Sequence, residues 1–335
     1  MIRAVLFSLV GWLAVLGHSA FGQEQFDPVA RAAAVAPFID AKTVLIGHVR
    51  LSRLNLDQAV PAEIPGIPNA TPEAAEKIKT TIKLVPEKGR QLIDAGVDDV
   101  YFIVSLHGVD EGKEPASIGV FIVKDGSDPQ KVVEIMTLEG QAVPIAKGQR
   151  VVLGDMGFAD FVNGITPVER PEFAAAFKLA GKTDIQIVFV SHEFVRSFPL
   201  PLPPGFPQKI VDGVTALQGK LEHAAFTMNA PPNIAFGLFG KMAEPSSAEQ
   251  VRDAIASSLT MLKESQPIVA IMVPKFDELA KFVTPTVTES HWRILFTEKN
   301  GGMKLVQEVA ETLGKAAAAA GGPPGAGGGL PPGSK

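Results

Sequence analysis

Short apolar segments that occur in pairs across a turn constrain the fold of this chain more than any other feature. Residues 99–106 and 116–123 are strand-like and are joined by a polar loop that contains glycine. Residues 221–229 and 233–239 repeat this arrangement across Ala230–Pro232. Because a hairpin pairs its strands antiparallel, we expect antiparallel or mixed sheets.

The order of strands and helices occurs twice along the chain. Each occurrence has a buried strand, a proline-rich loop, a helix, a hairpin, a second helix, a second hairpin and a closing helix. The first strands of the two occurrences are Thr43–Leu51 and Asp184–Val190. We therefore predict an α+β protein with two similar halves of order β-α-β-β-α-β-β-α, ferredoxin-like in order, with the helices on one face. The alternative is a chance recurrence of a common alternation.

The N-terminal segment has the pattern of a secretory signal peptide, which we place at residues 1–22. Arg3 supplies its charge, Ala4–Gly17 is almost wholly apolar, and Ala20 and Gly22 are small residues before the expected cut. An uncleaved membrane anchor is the alternative, although the apolar run is short for a spanning helix.

The rest of the chain divides by composition. A lead-in helix is expected within residues 23–42, a first α+β half at 43–165 and a second at 166–315. Residues 316–335 are an alanine run followed by glycine and proline, which predicts a disordered tail.

Composition excludes several kinds of chemistry. The 335 residues include no cysteine, so the chain has no disulfide, no thiol nucleophile and no thiolate metal site. The formal net charge is −5, and a mildly acidic, mixed surface argues against binding to nucleic acid.

Two short motifs look like cofactor sites but lack required parts. His192 and Glu193 begin like the zinc-protease motif HExxH, yet Arg196 occupies the position of the second histidine. Gly181–Thr183 resembles the end of a phosphate loop, but it follows a helix and precedes a strand, so we interpret Gly181 as a helix C-cap. We expect neither a metal nor a cofactor.

Histidines beside acidic residues are the remaining candidates for catalysis. His48 lies within a strand, and His107 ends a strand close to Asp110. A histidine oriented by a carboxylate can act as a general base, as His192 with Glu193 could also do. The other interpretation is that these are polar strand exits, and Asp98 and Asp99 are interpreted as solvated loop charges.

Two proline-rich loops, Pro61–Pro72 and Ser197–Pro207, are unusually apolar and stiff. The second loop suggests contact with a ligand or partner or, alternatively, cover for a sheet edge. Its apolar candidate residues are Phe198, Leu200, Leu202 and Phe206.

The phrase Leu51–Leu54 within Pro37–Leu56, and the phrase Ala95–Tyr101, resemble segments of exported proteins of planctomycete-type bacteria. That resemblance implies export and carries no catalytic residues. The sequence therefore favours an exported, non-catalytic binding or structural protein of the cell envelope, periplasmic or extracellular, without indicating its partner. Membrane contact is expected only through an uncleaved N-terminal segment. The alternative is a hydrolase that uses a histidine–carboxylate pair.

Overall fold

The computed structural model describes residues 26–54, 56, 86–109, 112, 114–137, 145–154, 158–192, 206–230, 234–265, 273 and 275–320. The expected signal peptide, the loop Pro61–Pro72, most of the loop Ser197–Pro207 and the glycine- and proline-rich end of the tail lie outside these residues.

The described strands form one ten-stranded sheet in which every neighbouring pair is antiparallel. They are β1 Thr43–Arg50, β2 Val97–Ser105, β3 Ala116–Val123, β4 Ile145–Lys147, β5 Arg150–Gly154, β6 Ile185–Val190, β7 Leu221–Asn229, β8 Ala235–Met242, β9 Thr286–Thr288 and β10 His291–Thr297. The α+β class and antiparallel pairing are thereby confirmed.

The pairing of β1 with β6 sets the layout of the sheet. The order across it is β4-β5-β3-β2-β1-β6-β7-β8-β10-β9. The strands β1–β5 lie on one side of the sheet and β6–β10 on the other. Going outward from the central pair, each set follows the order first, second, third, fifth and fourth strand of that set along the chain. The β1 strand is buried on both faces, which is why its apolar residues occur on both faces and do not alternate with exposed polar ones.

The same irregularity occurs in β2 and β7. The register of β2 shifts between Val97 and Asp99, and the register of β7 shifts between Leu221 and His223. Each shift lies at the start of a strand that follows a helix and pairs with the next strand in the chain. Asp99 and His223 therefore occupy equivalent positions on the two sides of the sheet.

The hairpins β4–β5 and β9–β10 also share their geometry. Gly148 and Glu289 begin the two turns, with φ of 60° and 52°. Backbone hydrogen bonds outside the strands also match on the two sides of the sheet. Lys124 N donates to Gly96 O (3.0 Å) as Ala243 N donates to Lys220 O (2.8 Å). Likewise, Val123 N donates to Gln149 O (2.9 Å) as Met242 N donates to Ser290 O (2.8 Å).

Side chains alternate between the two faces of the sheet, and each face has its own core. We call the side that carries Val49, Phe121 and Met228 face 1, and the side that carries Ile46 and Val188 face 2. The described helices are α1 Pro28–Val35, α2 at 86–94, α3 Pro129–Thr137, α4 Phe158–Gly164, α5 Pro171–Ala180, α6 Gln208–Lys220, α7 Pro245–Ser265, α8 Phe276–Val283 and α9 Gly302–Ala320.

Helices cover both faces, so the expectation that they lie on one face is wrong. Leu92 of α2 and Val132 of α3 are in the core of face 1, and α6 and α7 pack over Met242 and Trp292 on the same side. In contrast, α1, α4 and α5 belong to the core of face 2, where Phe173 is fully buried. Periodicity shows which stripe of a helix is apolar but not which side of the sheet it meets.

The ferredoxin-like order holds along the chain but not within the sheet. The split βαβ unit of that fold has two parallel strands that are not neighbours, whereas β1 and β2 are antiparallel neighbours although α2 lies between them. The chain therefore builds a meander with helices inserted into its connections.

Candidate functional site

Polar side chains meet on face 2 at the centre of the sheet. His48 on β1 is fully buried and lies opposite Tyr101 on β2 and Gln186 on β6. The α1 helix places Arg31 against this histidine. Asp99, two residues before Tyr101 in the regular part of β2, lies on face 2 as well. We call Arg31, His48, Asp99 and Gln186 the central polar cluster.

Hydrogen bonds define the protonation state of His48. Its Nε2 lies 2.6 Å from Asp99 Oδ1, and its Nδ1 lies 2.7 Å from Arg31 Nη1. A guanidinium has no acceptor, so Arg31 donates to Nδ1 and the Nε2 hydrogen is donated to Asp99. Arg31 Nη1 also donates to Gln186 Oε1, and Gln186 Nε2 donates to the carbonyl of Gly181 at the end of α5.

The electrostatics agree with a neutral imidazole beside an ionised carboxylate. Burial lowers the pKa of His48 below its usual value, against the opposing hydrogen bond to Asp99, and the charge of Arg31 lowers it further. Burial alone would raise the pKa of Asp99, but the hydrogen bond from His48 and the positive charges of Arg50 and Arg31 hold it at about 2, with a further contribution from His48 once acid protonates its ring. Burial raises the pKa of Tyr101, whose ring packs 4.8 Å from the imidazole.

This arrangement leaves His48 without a ring nitrogen for a substrate. A general base must reach the proton that it removes, and the nitrogen opposite Asp99 is held by Arg31. The cluster instead ties α1 and the end of α5 to three central strands. It satisfies buried polar groups that would otherwise be costly in the core.

A second polar cluster surrounds Asp40, just before β1. Ser105 Oγ lies 2.9 Å from both carboxylate oxygens, and Thr43 Oγ1 donates to Oδ1 at 2.7 Å. His107 Nδ1 is 3.9 Å from Oδ2, and its 63% exposed ring makes a tilted contact with Phe161, with 5.4 Å between the ring centroids. A serine nucleophile needs its hydroxyl on the histidine, whereas Ser105 donates to the acid. The contacts describe a buried carboxylate capped by hydroxyls, not a triad.

The sequence-derived candidates separate in space. His48 meets a carboxylate, and His107 approaches Asp40. His192 is half-buried directly after β6, and Phe206 is half-buried just before α6. The other candidates lie outside the described residues: Asp110, Glu193, Phe198, Leu200 and Leu202.

Sequence reasoning missed three of the four residues of the central polar cluster. The interpretation of Asp98 and Asp99 as loop charges is wrong, because both belong to β2 and Asp99 binds His48. Arg31 and Gln186 are 155 residues apart in the chain, and no local pattern connects them. A charged residue inside an apolar segment, as Arg31 is among alanines, was the available signal.

Metal and membrane features can be stated for the described part of the chain. There, no group of three or more His, Asp or Glu side chains is placed to hold a metal ion. None of the helices in the described ranges is both long and apolar enough to cross a membrane.

The similarity of this chain to known proteins is slight. No family model and no curated protein matches the chain. The fold is distantly similar to a solved structure, crystal form I of TP0453, at 9% identity and a TM-score of 0.36, covering 86% of this chain and 99% of that one. So low a score carries no argument about function. The resemblance to exported planctomycete-type proteins stays a prediction.

Proposed function

We propose that the protein is an exported, non-catalytic binding protein of the cell envelope. The observation that carries this proposal is the engagement of both ring nitrogens of His48, by Asp99 and by Arg31. The hydrolase alternative requires a histidine–carboxylate pair with one nitrogen open to substrate. In the described residues, the best-formed such pair is closed by a cation that lies in the same buried cluster.

Internal duplication is the second part of the proposal. It is supported by the common strand order on the two sides of the central pair and by the matching register shifts. The turns at Gly148 and Glu289 support it through their shared left-handed backbone, which is rare for glutamate. A chance recurrence of strands and helices would not reproduce irregular features at the same places.

Export is proposed from the sequence pattern of residues 1–22, and we propose a periplasmic or extracellular location. The absence of cysteine is compatible with that location, since a large core can stabilise an exported protein without disulfides. The test is the mass of the protein isolated from cells. We expect a mature N-terminus at Gln23, and a chain that retains Met1 would contradict cleavage.

Catalysis is tested with the purified protein and a panel of ester, peptide and phosphate-ester substrates. We expect no turnover from the wild type, from His48→Gln or from the control His107→Gln, which changes an exposed ring. Turnover by the wild type that His48→Gln abolishes and His107→Gln retains would overturn the proposal. Circular dichroism checks that the His48 variant is folded.

Binding is tested by thermal unfolding, because a ligand that binds only the native state raises the melting temperature. A panel of soluble anions, sugars and peptides is added at increasing concentration. We expect a saturable, concentration-dependent increase for at least one class. Melting temperatures that stay constant across the whole panel would count against a binding role.

A further inference from the structure

The two sides of face 2 differ at equivalent positions. On the first side, Ile122 and Val152 belong to the apolar core beneath α1, α4 and α5. The equivalent positions on the second side hold Lys241 and Arg293. Arg293 is exposed, and the Lys241 side chain retains 25% of its surface. At these two positions the first side of face 2 is apolar and covered, and the second side is cationic.

Three basic side chains stand in one row across the neighbouring strands β7, β8 and β10. His223 on β7 pairs with Lys241 on β8, which pairs with His291 on β10. Arg293 is two residues further along β10 and therefore on the same face. We call His223, Lys241, His291 and Arg293 the basic patch. Lys241 and Arg293 carry fixed positive charges on this part of face 2, and protonation of either histidine would place a like charge directly opposite Lys241, a cost that a bound anion would relieve.

The position of the Lys241 ammonium is fixed by its neighbours. Its Nζ donates to Ser290 Oγ at 2.7 Å and to the carbonyl of Met242 at 3.0 Å, next to the β9–β10 turn. Glu222 Oε2 lies 3.7 Å away and is 45% exposed, so it compensates the charge only in part. A side chain held in this way loses little freedom when it binds a ligand.

Two acidic side chains, Glu222 and Glu172, lie close enough to the patch to act on His223. Burial lowers the pKa of His223, the positive charges of His291 and Lys241 lower it further, and Glu222 and Glu172 oppose them. Glu172 of α5 forms an ion pair with Arg170. The net environment of the row is therefore cationic.

We propose that the basic patch binds a phosphate group. A phosphate has several acceptor oxygens and up to two negative charges, which match the guanidinium fork of Arg293, the His291 ring and the Lys241 ammonium. This assignment rests on the proposed binding function and names the chemistry of the ligand. The phosphate can belong to a soluble ester or to a lipid headgroup, since both offer the same oxygens.

The test uses the purified protein with inorganic phosphate, at constant ionic strength set with sodium chloride, because exposed charges are screened by salt. Binding is followed by calorimetry and by the NMR signals of the histidine rings. Phosphate is expected to shift the signals of His223 and His291. Arg293→Gln should weaken phosphate binding by about tenfold or more, as loss of a charge-assisted hydrogen bond predicts.

Lys131→Gln is the matched control, since it removes one exposed positive charge from α3 on face 1. It should bind phosphate like the wild type. Glycerol 3-phosphate and vesicles containing phosphatidylglycerol, compared with pure phosphatidylcholine, distinguish a soluble ester from a headgroup. Equal losses in Arg293→Gln and Lys131→Gln, or no effect of phosphate beyond that of chloride, would overturn the site. Either result leaves the non-catalytic proposal standing, because that depends on His48.

Discussion

His48 Nε2 lies 2.6 Å from Asp99 Oδ1, on a diagonal between β1 and β2, because Asp99 pairs with Arg50, two residues from His48 on the same face. The register of β2 shifts just before Asp99, so Val97 points to face 1 while Asp99 stays on face 2. The regular pairing of the central strands thus supplies the acceptor for a fully buried histidine.

Removing the carboxylate should therefore be costly. Asp99→Ala leaves the Nε2 hydrogen of His48 without its acceptor and removes a carboxylate whose charge interacts with that of Arg31. We expect a loss of about 2–4 kcal/mol in the free energy of unfolding, measured with urea. Asp98→Ala is the control, because one oxygen of Asp98 is buried without a partner and the other lies 3.8 Å from Arg50. Equal losses in the two variants would contradict the role given to Asp99.

Acid should destabilise the protein in two steps. The pKa of His48 is lowered on folding, so the unfolded chain binds a proton first and stability falls as the pH drops below about 6.5. The pKa of Asp99 is about 2, against 3.8 for an unperturbed aspartate, so its contribution of about 2 kcal/mol is present above pH 4 and is lost between pH 4 and 2.

Urea unfolding between pH 2 and 8 measures this dependence. His48→Gln should flatten the curve near pH 6 while the fall below pH 4 remains in part. The exposed variant His107→Gln should follow the wild type throughout. A wild-type curve that is flat from pH 8 to 4 would mean that His48 does not remain neutral in the folded state.

Local sequence patterns were sufficient for single strands and helices but not for their assembly. The bounds of β3, β7 and α8 agree with those expected from alternation, turns and caps, because each signal is contained within the segment. The β1–β6 pairing joins segments about 140 residues apart, as in the pair Gly47–Ile187. No turn or periodicity carries that information, so the sequence predicted a sheet for each half where the structure has one continuous sheet.

The central polar cluster was missed for a related reason. His48 is a recognisable candidate, but its partners come from α1, β2 and β6, and only the folded sheet brings these together. The basic patch escaped notice because His223, Lys241 and His291 are spread over about 70 residues. Comparing the two sides of the sheet by register places Lys241 at the position of Ile122, but His223 at that of Asp99 and His291 at that of Arg150, so of these three only Lys241 replaces an apolar residue.

Gly47 is required by the approach of a ring in the central strands. A Cβ at this position would lie 1.5 Å from Cε1 of Phe102, its partner on β2. Gly47→Ala should therefore lower the free energy of unfolding by about 1–3 kcal/mol through overpacking. Gly119→Ala is the control within the same sheet, since the nearest atom would be an ordinary 3.6 Å away. Adding Phe102→Leu to Gly47→Ala should restore part of the loss, and a double variant no more stable than Gly47→Ala would contradict this cause.

Glu289 offers a test of the equivalence of the two hairpins. It has φ of 52° where the equivalent residue, Gly148, has φ of 60°, and side chains other than glycine are strained in this region. Glu289→Gly should raise the free energy of unfolding by about 0.5–1 kcal/mol, and Gly148→Ala should lower it by about 1 kcal/mol. A Cβ on Gly148 would have no neighbour within 4 Å, so the loss of stability in Gly148→Ala would come from the backbone alone.

Glu289→Ala keeps the strain while removing the exposed carboxylate, so it should match the wild type in urea unfolding at pH 7. If Glu289→Ala and Glu289→Gly gained equally, the carboxylate and not the backbone would be the source, and the shared turn geometry would have no energetic meaning.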